Sequence, residues 1–111
     1  MPKIIATPFG LCVADGYPIR KNLFELGFSW LPAVHEWAWK LPENEPIHGL
    51  DMAVTLKNLG AVFALDPYSK SLERVVDLYT QAMELLGTEE ARKMFIWLLG
   101  SQTDSQIEGR K

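Results

Sequence analysis

A short aromatic segment in the first half of the chain constrains the fold most, because it holds three of the four tryptophans. Two runs of β-compatible residues, Phe28 to Leu31 and His35 to Leu41, are joined through Pro32-Ala33, which predicts a β-hairpin with Trp30 opposite His35. Side chains alternate between the two faces of a strand, so one face of this hairpin is predicted to be strongly aromatic. That face carries Phe28, Trp30, His35, Trp37, Trp39 and Leu41.

Strands and a short helix are predicted before the hairpin. Lys3 to Ala6 is a β-branched apolar run, and Leu11 to Ala14 either extends it or forms a second strand. From Ile19 to Leu26 apolar positions recur at helical spacing, with Pro18 in the first turn and Gly27 as the stop. Residues 1–41 therefore predict a strand, helix and hairpin module.

Residues 47–100 are predicted to be mainly helical. Apolar residues keep helical spacing from Leu50 to Gly60, and Ala61 to Leu65 is either a short buried strand or part of the helix. The apolar stripe of this segment consists of Met52, Leu56, Leu59 and Phe63.

Two more amphipathic helices, Leu72 to Leu86 and Ala91 to Leu99, are separated by Gly87 and are expected to pack as an antiparallel hairpin. Gly100 is predicted to end the last helix. The side chains of that helix predicted to face inward are Ala91, Met94, Phe95 and Leu98.

Together these elements predict one α+β domain over residues 1–100: a small antiparallel sheet with a Trp-rich hairpin packs on a short helix, and about three helices follow. Residues 101–111 lack apolar periodicity and predict a disordered tail. Ile107 to Arg110 also matches a protease cleavage sequence used in recombinant proteins, so the tail is either native or added.

Cysteine content and charge point to a compartment and limit the partners. The lone Cys12 cannot form an internal disulfide, which favours the reducing cytoplasm. No signal-peptide pattern and no membrane-length apolar run are present, so we expect a cytoplasmic protein without a membrane partner. The net charge is −3, divided into +1 for residues 1–41 (4 − 3) and −4 for the rest (7 − 11). An acidic second half is a poor surface for nucleic acid.

Side-chain spacing predicts neither catalysis nor metal binding. The two histidines, His35 and His48, have no Cys or His neighbour at ligand spacing. His35 and Glu36 are adjacent on a predicted strand and therefore face opposite ways, and Cys12 lies between apolar neighbours. We expect a non-enzymatic protein with no catalytic residue, no metal and no cofactor.

Exposed aromatic residues are the candidate binding groups, with burial in the core as the alternative for each of them. Trp97 lies on the facet of the last helix opposite its apolar stripe, and either Phe95 or Trp97 is expected at a contact made by the C-terminal helices with a second copy or another protein. Three basic residues flank the aromatic hairpin. The predicted binding residues are Trp30, Trp37, Trp39, Trp97, Phe95, Arg20, Lys21 and Lys40.

The run Gly27-Phe28-Ser29-Trp30-Leu31-Pro32, followed by Trp37 and preceded by a helix and Thr7-Pro8-Phe9, resembles a small αβ module found alone or beside primase, helicase and topoisomerase domains in phage and plasmid proteins. It is more distantly similar to the HARP domain of annealing helicases, which uses an aromatic hairpin near DNA forks. The resemblance covers residues 4–41. It implies a phage or mobile-element accessory or inhibitor protein that acts on a host or replication protein.

Three hypotheses follow. The first is a non-enzymatic protein-binding module, with a protein partner or a homo-oligomer through the C-terminal helices. The second is weak single-stranded nucleic-acid binding, in which bases stack on the Trp-rich hairpin at about 1–3 kcal/mol each. The third is an enzyme that uses Cys12 or His35, for which the partner residues of a catalytic site are missing.

Overall fold

Two antiparallel strands close to the N-terminus form the middle of the sheet. The computed structural model describes residues 1–42 and 45–108, with side chains described to Leu99. Strand β1 (Lys3–Thr7) pairs with β2 (Gly10–Ala14) in the register Ile4 to Val13. Thr7 Oγ1 accepts a hydrogen bond from the Gly10 backbone N–H at 3.0 Å and stabilises the turn between the strands. Leu11 to Ala14 is therefore a second strand.

The aromatic hairpin consists of β3 (Ser29–Leu31) and β4 (Glu36–Lys40), and its observed register pairs Trp30 with Trp37. Our prediction that Trp30 pairs with His35 was wrong by two residues. The loop is longer than expected because His35 adopts a left-handed backbone with φ 55° and belongs to the turn. A shift of two residues leaves every side chain on its predicted face.

The five strands form a mixed sheet in the order β3-β4-β2-β1-β5. The last strand, β5 (Val62–Phe63), pairs in parallel with β1. We predicted an antiparallel sheet, and this one pair makes the observed sheet mixed. Gly60 ends the preceding helix with φ 96°, and the chain then enters β5. Residues 62–63 are thus strand rather than helix.

Helices lie on one face of this sheet, and the fold is α+β as predicted. A 3-10 turn at Tyr17–Ile19 leads into α1 (Arg20–Glu25), which ends before Gly27 with φ 96°. One core cluster joins sheet residues such as Val13 to helix residues such as Leu23. On the opposite face, the paired row Ile5, Cys12 and Ala38 is half-buried.

Helix α2 (Ile47–Asn58) buries a stripe that shares only Leu56 with the one we predicted. Its buried residues are Ile47, Leu50, Ala53 and Leu56. Met52 and Leu59 are only half-buried, because they lie on the side of the helix next to Leu56 and away from Leu50. Phe63 is buried, but in β5.

Helix α3 (Pro67–Leu86) is tied to the sheet through its N-terminus. Asp66 caps the helix by accepting a hydrogen bond from the Ser69 backbone N–H at 3.0 Å. Ser69 Oγ donates to Asp66 Oδ2 at 2.7 Å and accepts from the Ala6 backbone N–H at 2.9 Å. The fully buried Ser69 therefore connects α3 to β1 without leaving a polar group unpaired.

Helix α4 (Thr88–Glu108) passes through Gly100, which we predicted as its end. One glycine costs a helix only about 1 kcal/mol, so it does not stop a helix that is already formed. The helix includes residues 101–108 of the predicted tail, and residues 109–111 lie outside the described residues. Ala91 and Phe95 face inward as predicted, whereas Met94 and Leu98 are exposed at 37% and 41% because they flank this i, i+4 pair.

The two long helices form the predicted antiparallel hairpin about Gly87. Tyr79 and Phe95, equally far from Gly87 in sequence, have ring centres 4.9 Å apart. The Tyr79 hydroxyl donates to Asp51 Oδ1 at 2.8 Å, and Arg92 donates to Asp51 Oδ2 at 2.7 Å, so Asp51 joins α2, α3 and α4. Burial, followed by the nearby Asp51 carboxylate, raises the pKa of Tyr79 to about 12. None of the helices in the described residues combines the length and the apolar composition needed to cross a bilayer.

Candidate functional site

A cleft of about 540 Å³ opens where the end of β2, the 3-10 turn and the aromatic hairpin meet. We call it the aromatic cleft. Its lining consists of Asp15, Gly16, Tyr17, Arg20, Trp30, His35 and Trp37. Aromatic walls with a few polar groups are typical of sites that bind a ligand in a defined orientation.

The floor of the aromatic cleft depends on a glycine. Gly16 is buried, and a Cβ atom built there would lie 2.7 Å from Leu23 Cδ1 and 3.1 Å from Trp37 Cδ1. The absence of a side chain lets the chain leave β2 directly over the core residue Leu23 and beside the Trp37 indole. The floor is therefore closely packed before any ligand enters.

Two residues with unusual backbone conformation form adjacent rims of the cleft. Asp15 and His35 are the non-glycine residues of the described chain with positive φ, each at 55°. Ala14 pairs with Glu36, so Asp15 and His35 leave neighbouring strands at the same end of the sheet. Asp and His tolerate this left-handed region better than most residues. Both strands thus turn away from the sheet at the cleft.

Aromatic rings stand at steep angles around the opening. The Trp30 ring centre lies 5.5 Å from that of Trp37 with 58° between the planes, and 6.1 Å from that of His35 with 67° between the planes. Trp37 is half-buried against the core, whereas Trp30 is 45% exposed and Tyr17 is 71% exposed. A half-buried inner ring therefore packs against Trp30, and solvent can reach the rings of Trp30 and Tyr17.

The cleft is lined by the cation Arg20 and the anion Asp15, and they differ in whether they have a bonding partner. Arg20 Cζ lies 3.8 Å from the centre of the Tyr17 ring, and Arg20 Nη1 donates to the Tyr17 carbonyl at 2.8 Å. The exposed Asp15 carboxylate forms no ion pair or hydrogen bond with any described residue. Lys21 lines an adjoining groove together with Arg20, Phe24, Glu25 and Trp37.

The structure brings together only part of the predicted binding set. Trp30, Trp37 and Arg20 line the aromatic cleft, and Lys21 lies next to it. Trp39 is half-buried and packs with Phe28 at 6.3 Å between ring centres. Trp39 therefore belongs mainly to the core of the domain.

The remaining predicted residues lie elsewhere. Lys40 is exposed at the end of β4 that is farther from the cleft. Phe95 is 9% exposed and packs on Tyr79, so it is a core residue, whereas Trp97 is 67% exposed on α4. Phe95 is for this reason left out of the candidate site.

Sequence reasoning missed Asp15 and Tyr17, and it considered His35 as a neighbour of Trp30 or a catalytic residue but not as a binding residue. The signal available for the first two was Asp15-Gly16, a turn pair directly before Tyr17-Pro18. It indicated a turn but not its position, since only the pairing of β2 with β4 places this turn beside the aromatic hairpin.

The thiol of Cys12, the chain's one cysteine, does not line the cleft. Burial, and secondarily Glu36, raises the pKa of the Cys12 thiol above its ordinary value, so the reactive thiolate is disfavoured at neutral pH. Among the described residues, no three His, Cys, Asp or Glu side chains cluster in a way that would hold a metal ion.

No family model, no curated protein and no solved structure matches this chain. The similarity of residues 4–41 to the phage and plasmid module therefore stays a prediction.

Proposed function

We propose that this chain is a non-enzymatic protein-binding module, and that the aromatic cleft holds a segment of its partner. The observation that carries the proposal is an exposed Trp30 held by Trp37 and His35 above a floor closed by Gly16. Tryptophan and tyrosine supply most of the binding energy in many protein interfaces, above all where their rings are ordered before binding. Here Trp30 and Tyr17 combine exposure with fixed neighbours.

The biological setting of the proposal comes from the resemblance of residues 4–41. We place the protein in the cytoplasm as a phage or mobile-element accessory or inhibitor protein that acts on a host or replication protein. A net charge of −3 and the carboxylate of Asp15 in the cleft favour a protein partner over the phosphate backbone of nucleic acid.

Peptide selection tests this function while the natural partner is still unidentified. The full chain is immobilised and used to select from a random peptide library, and the affinity of a selected peptide is then measured by calorimetry. Trp30→Ala is expected to weaken binding about 30-fold, as for a residue at the centre of an interface. Trp97→Ala is the matched control and should change the affinity less than twofold. Failure to select any peptide, or equal effects of the two variants, contradicts the proposal.

Single-stranded nucleic-acid binding is the second candidate, favoured by Arg20 and Lys21, which line adjoining grooves that share Trp37. Bases would stack on Trp30 while these two cations contact phosphates. An oligothymidylate titration at low salt should then quench tryptophan fluorescence, and added salt should reverse the quenching. The absence of quenching at low salt excludes this function.

A further inference from the structure

We infer that the aromatic cleft recognises an ammonium group of the partner, a lysine side chain in its plain or N-methylated form. This inference rests on the proposed function and adds the chemical class of the group that is bound. It follows from three properties of the cleft: the angles between its rings, a carboxylate without a hydrogen-bond partner among the described residues, and the existing cation on Tyr17.

The ring angles suit a compact cation better than a flat base. Trp30 is inclined by 58° to Trp37 and by 67° to His35, so these rings do not offer two parallel faces that would sandwich a planar group. The face of an indole is electron-rich and attracts a cation placed within about 6 Å of the ring. A compact cation over the exposed part of the Trp30 ring therefore suits this opening better than a planar base does.

The two charged side chains of the cleft differ, because Arg20 is engaged with Tyr17 and the carboxylate of Asp15 is free to meet a ligand. The carboxylate of Asp15 is exposed and has no partner among the described residues. The left-handed backbone of Asp15, with φ 55°, holds this carboxylate at the rim of the cleft. An ammonium group lying over the exposed part of the Trp30 ring would have this carboxylate in the same cleft as its counter-charge.

Tyr17 already holds a cation from the same chain. Arg20 Cζ lies 3.8 Å from its ring centre, which demonstrates that this part of the cleft accommodates a guanidinium over an aromatic face. The bond from Arg20 to the Tyr17 carbonyl keeps that guanidinium in place at 2.8 Å. An incoming cation is thus repelled by Arg20 and attracted by Asp15, and the two residues should have opposite effects on its affinity.

Two charge variants of the full chain give the decisive test, with choline as the probe and its neutral isostere 3,3-dimethyl-1-butanol as the control. Binding is followed by tryptophan fluorescence and by the indole N–H signals. Asp15→Asn, which keeps a residue tolerant of the left-handed backbone, should weaken choline binding about fivefold to tenfold. Arg20→Gln should strengthen it about twofold to fivefold. The neutral alcohol should bind more weakly than choline and respond to neither variant.

The inference is overturned in favour of an anionic ligand by the following result. Choline causes no saturable change, and the binding of an oligonucleotide is strengthened by Asp15→Asn and weakened by Arg20→Gln. Equal binding of choline and the alcohol overturns it in favour of a purely apolar site. The same experiment with a peptide selected on the wild type separates this inference from the proposed function. If a peptide binds the cleft and keeps its affinity when its Arg and Lys residues are replaced, the inference of a cationic ligand is rejected. The proposed protein-binding function is not affected by that result.

Discussion

The molecule exposes a tryptophan in two regions, and the two are held in different ways. In the aromatic cleft, Trp30 is 45% exposed and touches the rings of Trp37 and His35. On the outer surface of α4, Trp97 is 67% exposed and makes no ring contact with any described residue. Ordering a free side chain at an interface costs about 0.5–1.5 kcal/mol. Trp30 already packs against two rings, so less of this cost arises when it binds a partner. The less exposed tryptophan is therefore the better candidate for binding.

Neighbouring residues of α4 should show the sharpest contrast between core and surface. Phe95→Ala removes a ring packed on Tyr79 and should lower the free energy of unfolding by about 3–5 kcal/mol. Trp97→Ala should change it by less than about 0.5 kcal/mol, because this ring is mostly in solvent. Urea denaturation of both variants measures the difference, and similar losses would mean that Trp97 is packed more tightly than its exposure indicates.

The buried side of the helical region should also lose stability at high pH. Tyr79 has its pKa raised from 10.0 to about 12 in the folded chain. Both states keep the phenol proton below the unfolded pKa, but between these two values the unfolded chain loses it while the folded chain retains it. The free energy of unfolding should therefore fall by roughly 2 kcal/mol as the pH rises from 10 to 12.

Tyr79→Phe is the control for this titration. The stability difference between the wild type and Tyr79→Phe, measured by urea denaturation at each pH, should shrink across the same interval. A difference that stays constant would show that Tyr79 does not titrate differently in the two states. Other tyrosines and lysines are present in both proteins, so their contributions cancel in this comparison.

The packing of the cleft floor is tested by comparing the stability effects of an alanine at Gly16 and at Gly49. Gly16→Ala places a Cβ atom 2.7 Å from Leu23 Cδ1 and should cost about 1–3 kcal/mol through displacement of Leu23 and Trp37. Gly49→Ala lies in α2, where the Cβ meets only the end of Leu41 at 3.2 Å, and a helical alanine is favoured by about 1 kcal/mol over glycine. Gly49→Ala should be neutral or stabilising. A tolerated Gly16→Ala with unchanged near-UV circular dichroism would contradict the closed floor.

The sequence predicted those features that depend on residues close together in the chain. Alternation along β3 and β4 predicted the aromatic face correctly, and glycine punctuation located the end of α3 at Gly87. The hairpin register was missed because it depends on the backbone of one turn residue, His35.

The candidate site was harder to predict because it is built from distant parts of the chain. Asp15 and His35 line the same cleft because β2 pairs with β4, and the 3-10 turn that follows β2 brings Tyr17 to that cleft as well. No local pattern in the sequence encodes this arrangement. For the same reason, hydrophobic periodicity alone did not distinguish the stripe that α2 buries from the one that was predicted.

The smallest expected effect is a change in self-association through the helical region. Leu78, Leu85, Ile96 and Trp97 are exposed on α3 and α4, and we predicted that these helices contact a second copy or another protein. Sedimentation equilibrium of the wild type at high concentration should reveal weak dimerisation that Trp97→Ala reduces several-fold. A strictly monomeric wild type removes self-association and leaves only a different partner for this surface.

The central claim, that the aromatic cleft is the binding surface, is tested most directly by the four tryptophan indole N–H signals in a nuclear magnetic resonance titration. Single Trp→Phe variants assign the signals, and a peptide selected on the full chain is then added. We predict that the Trp30 and Trp37 signals shift together and saturate, whereas those of Trp39 and Trp97 stay in place. A shift of Trp97 with unchanged Trp30 and Trp37 would contradict the account and move the binding surface to the C-terminal helices.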